Sequence, residues 1–211
     1  MIELNKIYNE DCLEFMKRVP DNYFDLVLTD PPYGIQWKPI LYSSGKKKGV
    51  FTNKHKEFNW DNEIPSDDVF KEIERISKKQ IIWGANYFNC FTNGGALVWY
   101  KNRGANTLSE CEIASVSWQK KVGFVKKQIL SGFVADEKNY HPTQKPLQLI
   151  EFCIDYAKLE DGAKIFDPFM GGGTTAVACK SLGIDFVGCE LEPEYVAIAN
   201  KRLEAVQGSL F

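Results

Sequence analysis

The chain has 211 residues, 44% hydrophobic and 26% charged, close to globular averages, which excludes a collagen, a disordered tail and a membrane bundle. Its 26 Lys and Arg against 28 Asp and Glu leave a net charge of −2, which rules out a uniformly basic nucleic-acid coat but not an enzyme with a basic patch on one face. That length suits one α/β domain, residues 1–211, and not two.

In chain order, Asp11 to Lys17 reads as a short helix with Asp11 as its cap, closed by Val19-Pro20-Asp21-Asn22. Phe24 to Thr29 is an apolar, partly β-branched run suited to a strand buried on both faces of a parallel sheet, and the prolines of Asp30-Pro31-Pro32-Tyr33 end it. The stretch 37–60 reads as a basic loop, with Lys38, Lys46, Lys47, Lys48, Lys54 and Lys56 against Glu57. Val69, Phe70, Ile73 and Ile76 share one face of a helix opened by Ser66, Asp67 and Asp68. Strands are expected at Gln80–Trp83, Ala96–Tyr100 and Glu112–Trp118, the last more exposed or antiparallel because Ile113, Ser115 and Ser117 alternate with their neighbours.

Residues 119–140 are basic and aperiodic. Leu147, Ile150, Ile154 and Ala157 mark an amphipathic helix with Pro146 in its first turn. The remainder alternates cleanly: strand 164–166, loop 167–173, helix 174–182 ended by Gly183, strand 185–189, and a last helix marked by Val196, Ala199, Leu203 and Val206. Such alternation implies an α/β fold with an open, mostly parallel, doubly wound sheet of the seven-stranded kind.

No apolar run approaches the roughly 18–20 residues of a membrane span, and the first residues lack the order of a secretory signal. Six cysteines without a C-x-x-C pair, beside only His55 and His141, argue against a metal site and for buried, reduced thiols in a cytoplasmic protein.

Two segments carry chemistry. Asp167-Pro168-Phe169-Met170-Gly171-Gly172-Gly173-Thr174-Thr175 joins a strand to a helix, and its glycines let backbone N–H groups approach a ligand. Glu190, at the end of the next strand, is placed to accept the two hydroxyls of a ribose. Gly171-x-Gly173-x-x-Ala176 also satisfies a relaxed dinucleotide fingerprint, and a plain packing turn is a third reading. Asp167 at the mouth of the loop would repel a pyrophosphate yet welcome the ammonium of S-adenosylmethionine. The second segment, Asp30-Pro31-Pro32-Tyr33, has prolines without N–H groups, so it presents a carboxylate, main-chain carbonyls and an aromatic ring. An exocyclic amine on a nucleobase has the matching donors: Asp30 and the Pro31 carbonyl each take one N–H while Tyr33 stacks on the ring. As a bare strand-ending turn, the tetrad would carry no function.

With Asn9–Leu13, Ile82–Phe88 and His141-Pro142-Thr143-Gln144-Lys145-Pro146, these segments make the chain resemble the DNA amino-methyltransferases that act on adenine N6 or cytosine N4, in the permuted β-class motif order and over most of its length. The resemblance implies a Rossmann-like methyltransferase fold with S-adenosylmethionine as cofactor and double-stranded DNA as partner. Asp30, Pro31, Pro32 and Tyr33 would be catalytic. Asp11, Cys12, Thr143, Lys145, Asp167, Phe169, Gly171, Gly173, Thr174 and Glu190 would hold the cofactor, with Lys145 and Thr143 facing its methionine end and Asp11 and Cys12 its adenine. His141 is read as structural. Only residues 101–140 are available as a target-recognition region, so the basic loop 37–60 is expected to share that task, with Lys46, Lys47, Lys48, Lys101 and Arg103 as phosphate contacts.

The Asp form of the tetrad resembles adenine enzymes, so the expected reaction is N6 methylation of adenine in a specific sequence, with the base flipped out. Cytosine N4 is the near alternative; a nicotinamide-dependent oxidoreductase and a non-catalytic DNA-binding module are more distant. The family also includes homodimers and partners of restriction endonucleases, neither of which any residue here specifies.

Overall fold

The structure, a computed structural model, describes residues 2–35, 61, 63–88, 90–101, 109–125 and 144–206. The basic loop 37–60 and most of the stretch 101–140 lie outside the described residues, and with them Lys46, Lys47, Lys48, Arg103, His141 and Thr143.

The N-terminal half runs β1 (Lys6–Tyr8), α1 (Cys12–Met16), β2 (Leu26–Thr29), α2 (Asp67–Ile76), β3 (Gln80–Trp83), β4 (Gly95–Tyr100), β5 (Cys111–Val116) and β6 (Val122–Phe124). The C-terminal half continues with α3 (Leu147–Ala157), β7 (Lys164–Asp167), α4 (Thr174–Leu182), β8 (Asp185–Cys189) and α5 (Pro193–Ala205). Among the described residues these strands form one eight-stranded sheet in the order β1-β8-β7-β2-β3-β5-β4-β6. Only β5 runs against its neighbours; every other pairing is parallel.

Local signals account for most boundaries. Asp11 accepts the Glu14 N–H at 3.0 Å, capping α1. Gly183 closes α4 in the left-handed region at φ 68°. Pro146 occupies the N-cap of α3 rather than its first turn, since its fixed φ suits either position. Two strands lie outside the expected set. β1 and β6 have three residues each, too few for a periodicity, and both take their conformation from a partner: Ile7 pairs with Gly188 and Gly123 with Leu97.

Side chains of the central strands alternate between two cores. Leu26, Leu28, Ile81, Trp83, Ile165 and Phe186 pack on one face with α3 and α4; Val27, Ile82, Phe166 and Val187 pack on the other with α1 and α2. Burial on both faces explains why β2, β3 and β7 read as continuous apolar runs. Among the described residues, no helix is long and apolar enough to cross a membrane, and no group of His, Cys, Asp and Glu is set to hold a metal. All six cysteines are free; Cys111 is exposed, against expectation, because it is the first residue of β5, at the exposed end of that strand, while the other five are buried. Burial pushes the Cys12 and Cys153 thiols up to about 12, so neither is a thiolate at neutral pH.

Candidate active site

Sheet order sets the site. β8, β7 and β2 are adjacent and parallel, so Glu190, Asp167 and Asp30 come together at their carboxyl ends, where an open α/β sheet binds ligands. A cavity of about 370 Å³ opens there. Asp11, Cys12, Phe169, Gly171 and Glu190 line it together with Asp30, Pro31, Pro32 and Tyr33. A smaller cavity of about 60 Å³ is bounded by Thr29, Gln144, Lys145, Asp167 and Thr174. Asp30, Phe169 and Gly171 border both, so the two adjoin.

At the glycine-loop end, Glu190 accepts the Gly171 N–H at 2.8 Å and the Glu192 N–H at 2.9 Å, one on each carboxylate oxygen. Burial pushes its pKa up, against the pull of those two N–H groups. Its oxygens retain lone pairs to accept further hydroxyls. Gly171 adopts φ 52°, in the region that favours glycine. Gly173 serves packing instead: at φ 83° it opens α4, and a Cβ there would lie 2.6 Å from the Ala199 Cβ of α5. It lines neither cavity, because its free side faces a helix and not the cleft.

Asp167 borders the smaller cavity and also serves the fold. Its carboxylate is buried and accepts from the Thr29 and Thr175 hydroxyls, both at 2.7 Å, and from the Phe169 N–H at 3.1 Å. The acid expected to meet a ligand's ammonium thus also ties β2, the glycine loop and α4 together. Burial raises it to about 6.

At the tetrad end, the Tyr33 hydroxyl donates to Asp30 Oδ1 at 2.5 Å, and Lys145 Nζ donates to Asp30 Oδ2. Lys145 lies 3.2 Å from the Tyr33 hydroxyl and 3.0 Å from Glu112 Oε2, and Lys101 pairs with Glu112 Oε1. Lys145 therefore faces the tetrad as well as the smaller cavity. Burial works against its charge, yet Asp30 and Glu112 outweigh it and hold the ammonium well above the usual lysine range. Burial pushes the Asp30 carboxyl up, with Lys145 opposing. Lys101, expected on phosphate, is instead turned inward: its side chain is only 10% exposed and bound to Glu112.

Several site residues carry no signal of their own in the sequence. Asp61 is buried and accepts the Tyr33 N–H at 2.8 Å and the Gly34 N–H at 3.0 Å, fixing the backbone just after the prolines. Tyr87 stacks on Tyr33 with centroids 4.7 Å apart and planes 16° apart, and Phe88 meets the same ring edge-on at 6.0 Å. Gly84 has φ 75°, and a Cβ on it would lie 2.2 Å from Tyr33 Cε1, so that ring rests against its backbone. Gly84, Tyr87 and Phe88 belong to the segment Ile82–Phe88, whose motif likeness was the available signal.

The larger cavity is acidic. Glu10, Asp11, Asp30, Asp61, Glu190 and Glu192 line it, and no Lys or Arg among the described residues does. A pyrophosphate would be repelled there, whereas a cationic nucleoside would be attracted.

Comparison with known proteins agrees with this geometry. The family model described as DNA methylase matches residues 97–201, and the chain belongs to this family of DNA amino-methyltransferases. A curated relative, the type II methyltransferase M2.DpnII of Streptococcus pneumoniae, is 27% identical across 94% of this chain and 89% of its own length. Among solved structures, the M1.HpyAVI–SAM complex superposes with a TM-score of 0.57 at 22% identity, covering 93% of this chain and 98% of that one. The PvuII cytosine-N4-specific DNA methyltransferase does so with a TM-score of 0.58 at 15% identity, over 98% and 88%. These two share the fold.

Proposed function

We propose that the chain, acting as one domain, transfers the methyl group of S-adenosylmethionine to the N6 amino group of adenine in a specific DNA sequence. One observation carries the reading: the acceptor-rich tetrad and the Glu190–Gly171 pair line a single acidic cavity of about 370 Å³, within the 300–1,000 Å³ or so of small-molecule sites.

The residues present suit the cofactor. Glu190 would accept the ribose hydroxyls, Phe169, Cys12 and Asp11 would border the nucleoside, and the smaller cavity with Lys145 and Thr174 would take the amino-acid end. Bound there, S-adenosylmethionine supplies an electrophilic methyl group on a sulfonium that departs as a neutral thioether.

The chain's own work is positioning. Asp30 and the Pro31 carbonyl accept the two N–H groups of the exocyclic amine, drawing its lone pair out of conjugation and aiming it. Tyr33, held by Tyr87 and by the backbone of Gly84, meets the ring of the base. Base–aromatic stacking is worth about 1–3 kcal/mol, comparable with the few kcal/mol that flipping a base requires. The resemblance of the Asp form of the tetrad to adenine enzymes favours adenine; cytosine N4 offers the same donors. Lys46, Lys47, Lys48 and Arg103, outside the described residues, are proposed as phosphate contacts, and the cytoplasm as the location.

A tritiated-methyl assay on unmethylated plasmid, followed by sequencing of the modified DNA, tests the reading. Label at N6 of adenine in one recurring sequence is expected. Label on cytosine N4 would move the assignment to the alternative base, and no label with intact cofactor binding would leave a DNA-binding module.

A further inference from the structure

Behind the tetrad runs a buried row of alternating charges: Lys101, Glu112, Lys145 and Asp30, ending on the Tyr33 hydroxyl. Its four charged side chains are 10, 18, 8 and 20% exposed, and their charges cancel. Asp30 and Tyr33 belong to the reaction proposed above; Glu112 and Lys101 have no part in it so far.

The row meets a difficulty in that reaction. Asp30 must accept an N–H from the base, yet Tyr33 already donates to Oδ1 and the Lys145 ammonium to Oδ2, which weakens both oxygens as acceptors. An oxygen bound to a buried ammonium is a poor acceptor for an incoming amine. Withdrawing Lys145 without another anion in reach would strand a buried, unpaired charge, which is strongly unfavourable. Glu112 Oε2, 3.0 Å from Lys145 Nζ, is that anion. Lys101 holds its other oxygen, so the carboxylate cannot turn away.

The topology explains how Glu112 comes to be there. β5 runs antiparallel to β3 and β4, so its N-terminal end lies at the edge where the parallel strands have their carboxyl ends, and Glu112 stands opposite Trp99, two residues before Lys101. Glu112 lines neither cavity, and among the described residues its ion-pair link to the tetrad runs through Lys145.

We propose that Glu112 is a positioning residue for methyl transfer: it offers Lys145 a second seat, so that the ammonium can leave Asp30 Oδ2 to the amino group of the target base without losing its counter-ion. This rests on the function proposed above. No covalent bond and no proton changes hands in the shift; Lys145 stays an ammonium throughout.

The test compares wild type with Glu112→Gln, Glu112→Asp and Lys101→Met in the full chain, following methyl transfer to plasmid DNA against pH and S-adenosylmethionine binding by calorimetry. In Glu112→Gln, Lys145 has only Asp30 to pair with. Turnover should fall on the order of tenfold or more, with the cofactor Kd held within about twofold. The acid limb of the rate profile should also move to lower pH. The charged groups facing Asp30 are Tyr33 on its own loop, Lys145 before α3, Glu112 on β5 with Lys101 behind it, and Asp167 at the end of β7. Removing the one negative charge that competes for Lys145 makes the Asp30 carboxylate easier to form. Glu112→Asp keeps the charge and should return the limb to its wild-type position. Lys101→Met releases Glu112 to draw Lys145 harder and should move the limb upward; it carries the test if Glu112→Gln fails to fold. An unmoved limb in Glu112→Gln and Lys101→Met, or equal losses in Glu112→Gln and Glu112→Asp, would overturn the proposal. A wild-type chain that methylates no DNA would instead refute the functional reading beneath it.

Discussion

Gly84 gives the sharpest test of how the tetrad is held. It sits just after β3 at φ 75°, and a Cβ built on it would fall 2.2 Å from Cε1 and 2.7 Å from Cζ of Tyr33. Neither contact can be relieved by a flexible tip, because the ring is stacked on Tyr87 and its hydroxyl is bound to Asp30. Gly84→Ala therefore has two costs. The left-handed backbone charges an L-residue about 1–2 kcal/mol, which appears as lost stability. The ring must also leave its seat, forfeiting about 0.5–1.5 kcal/mol of ring stacking and the geometry on which a base would stack for about 1–3 kcal/mol. Only that last part bears on turnover, and it predicts a fall in kcat of roughly 5- to 150-fold. Cofactor affinity should stay within a few-fold, since Glu190 and Gly171 are untouched. Methyl transfer to plasmid DNA reads the first quantity and calorimetry with S-adenosylmethionine the second. Wild-type turnover in a folded Gly84→Ala would refute the idea that Tyr33 must occupy this position.

Asp30→Ala should abolish methyl transfer while leaving cofactor affinity within a few-fold; substantial residual turnover would remove Asp30 from the reaction. Glu190→Ala should weaken S-adenosylmethionine binding by about 1–3 kcal/mol, the loss expected for a charge-assisted hydrogen bond, and an unchanged Kd would take Glu190 out of the site. Lys46, Lys47 and Lys48 changed together to Ala should weaken DNA binding and flatten its dependence on salt, which a filter-binding titration at several salt concentrations reads directly. Asp167, raised to about 6 by burial, binds its proton more tightly folded than unfolded, so the stability tied to it is complete at pH below about 4 and lost as pH rises through about 6. Asp167→Asn should flatten urea-derived stability across that window; an unaltered slope would show that the carboxyl titrates normally.

Much of this was legible in the sequence because the signals are local. The cap at Asp11, the proline stop after Thr29 and the Gly183 C-cap each act within a few residues, and the elements they bound lie where the pattern places them. The tetrad and the glycine loop were readable as chemistry because the donor and acceptor inventory of a segment is written in its residues. Pairings across the chain were not. Lys101 is one lysine among many until β5 sets Glu112 beside it, and nothing local in the sequence places Thr29 and Thr175 on the oxygens of Asp167. Asp61 is an isolated acid in sequence and becomes the anchor of the Tyr33 backbone only through a contact across 28 positions.

Chain order and sheet order part company in a way that explains why the site survives its permuted motif arrangement. The tetrad comes early in the chain and the glycine loop late, yet β2 pairs with β7 and β7 with β8, so the two motifs end on strands one or two places apart. Neighbouring strands lie about 4.8 Å apart, which puts the carboxyl ends of β8 and β2 about 10 Å from each other, near the span of a nucleoside. Asp167, on the strand between them, bonds to Thr29 of β2 and to the Phe169 N–H of the loop, and so fixes the spacing between the tetrad and the glycine loop. What the chemistry requires is adjacency at the carboxyl edge, and parallel pairing supplies it whatever the order in which the strands are synthesised.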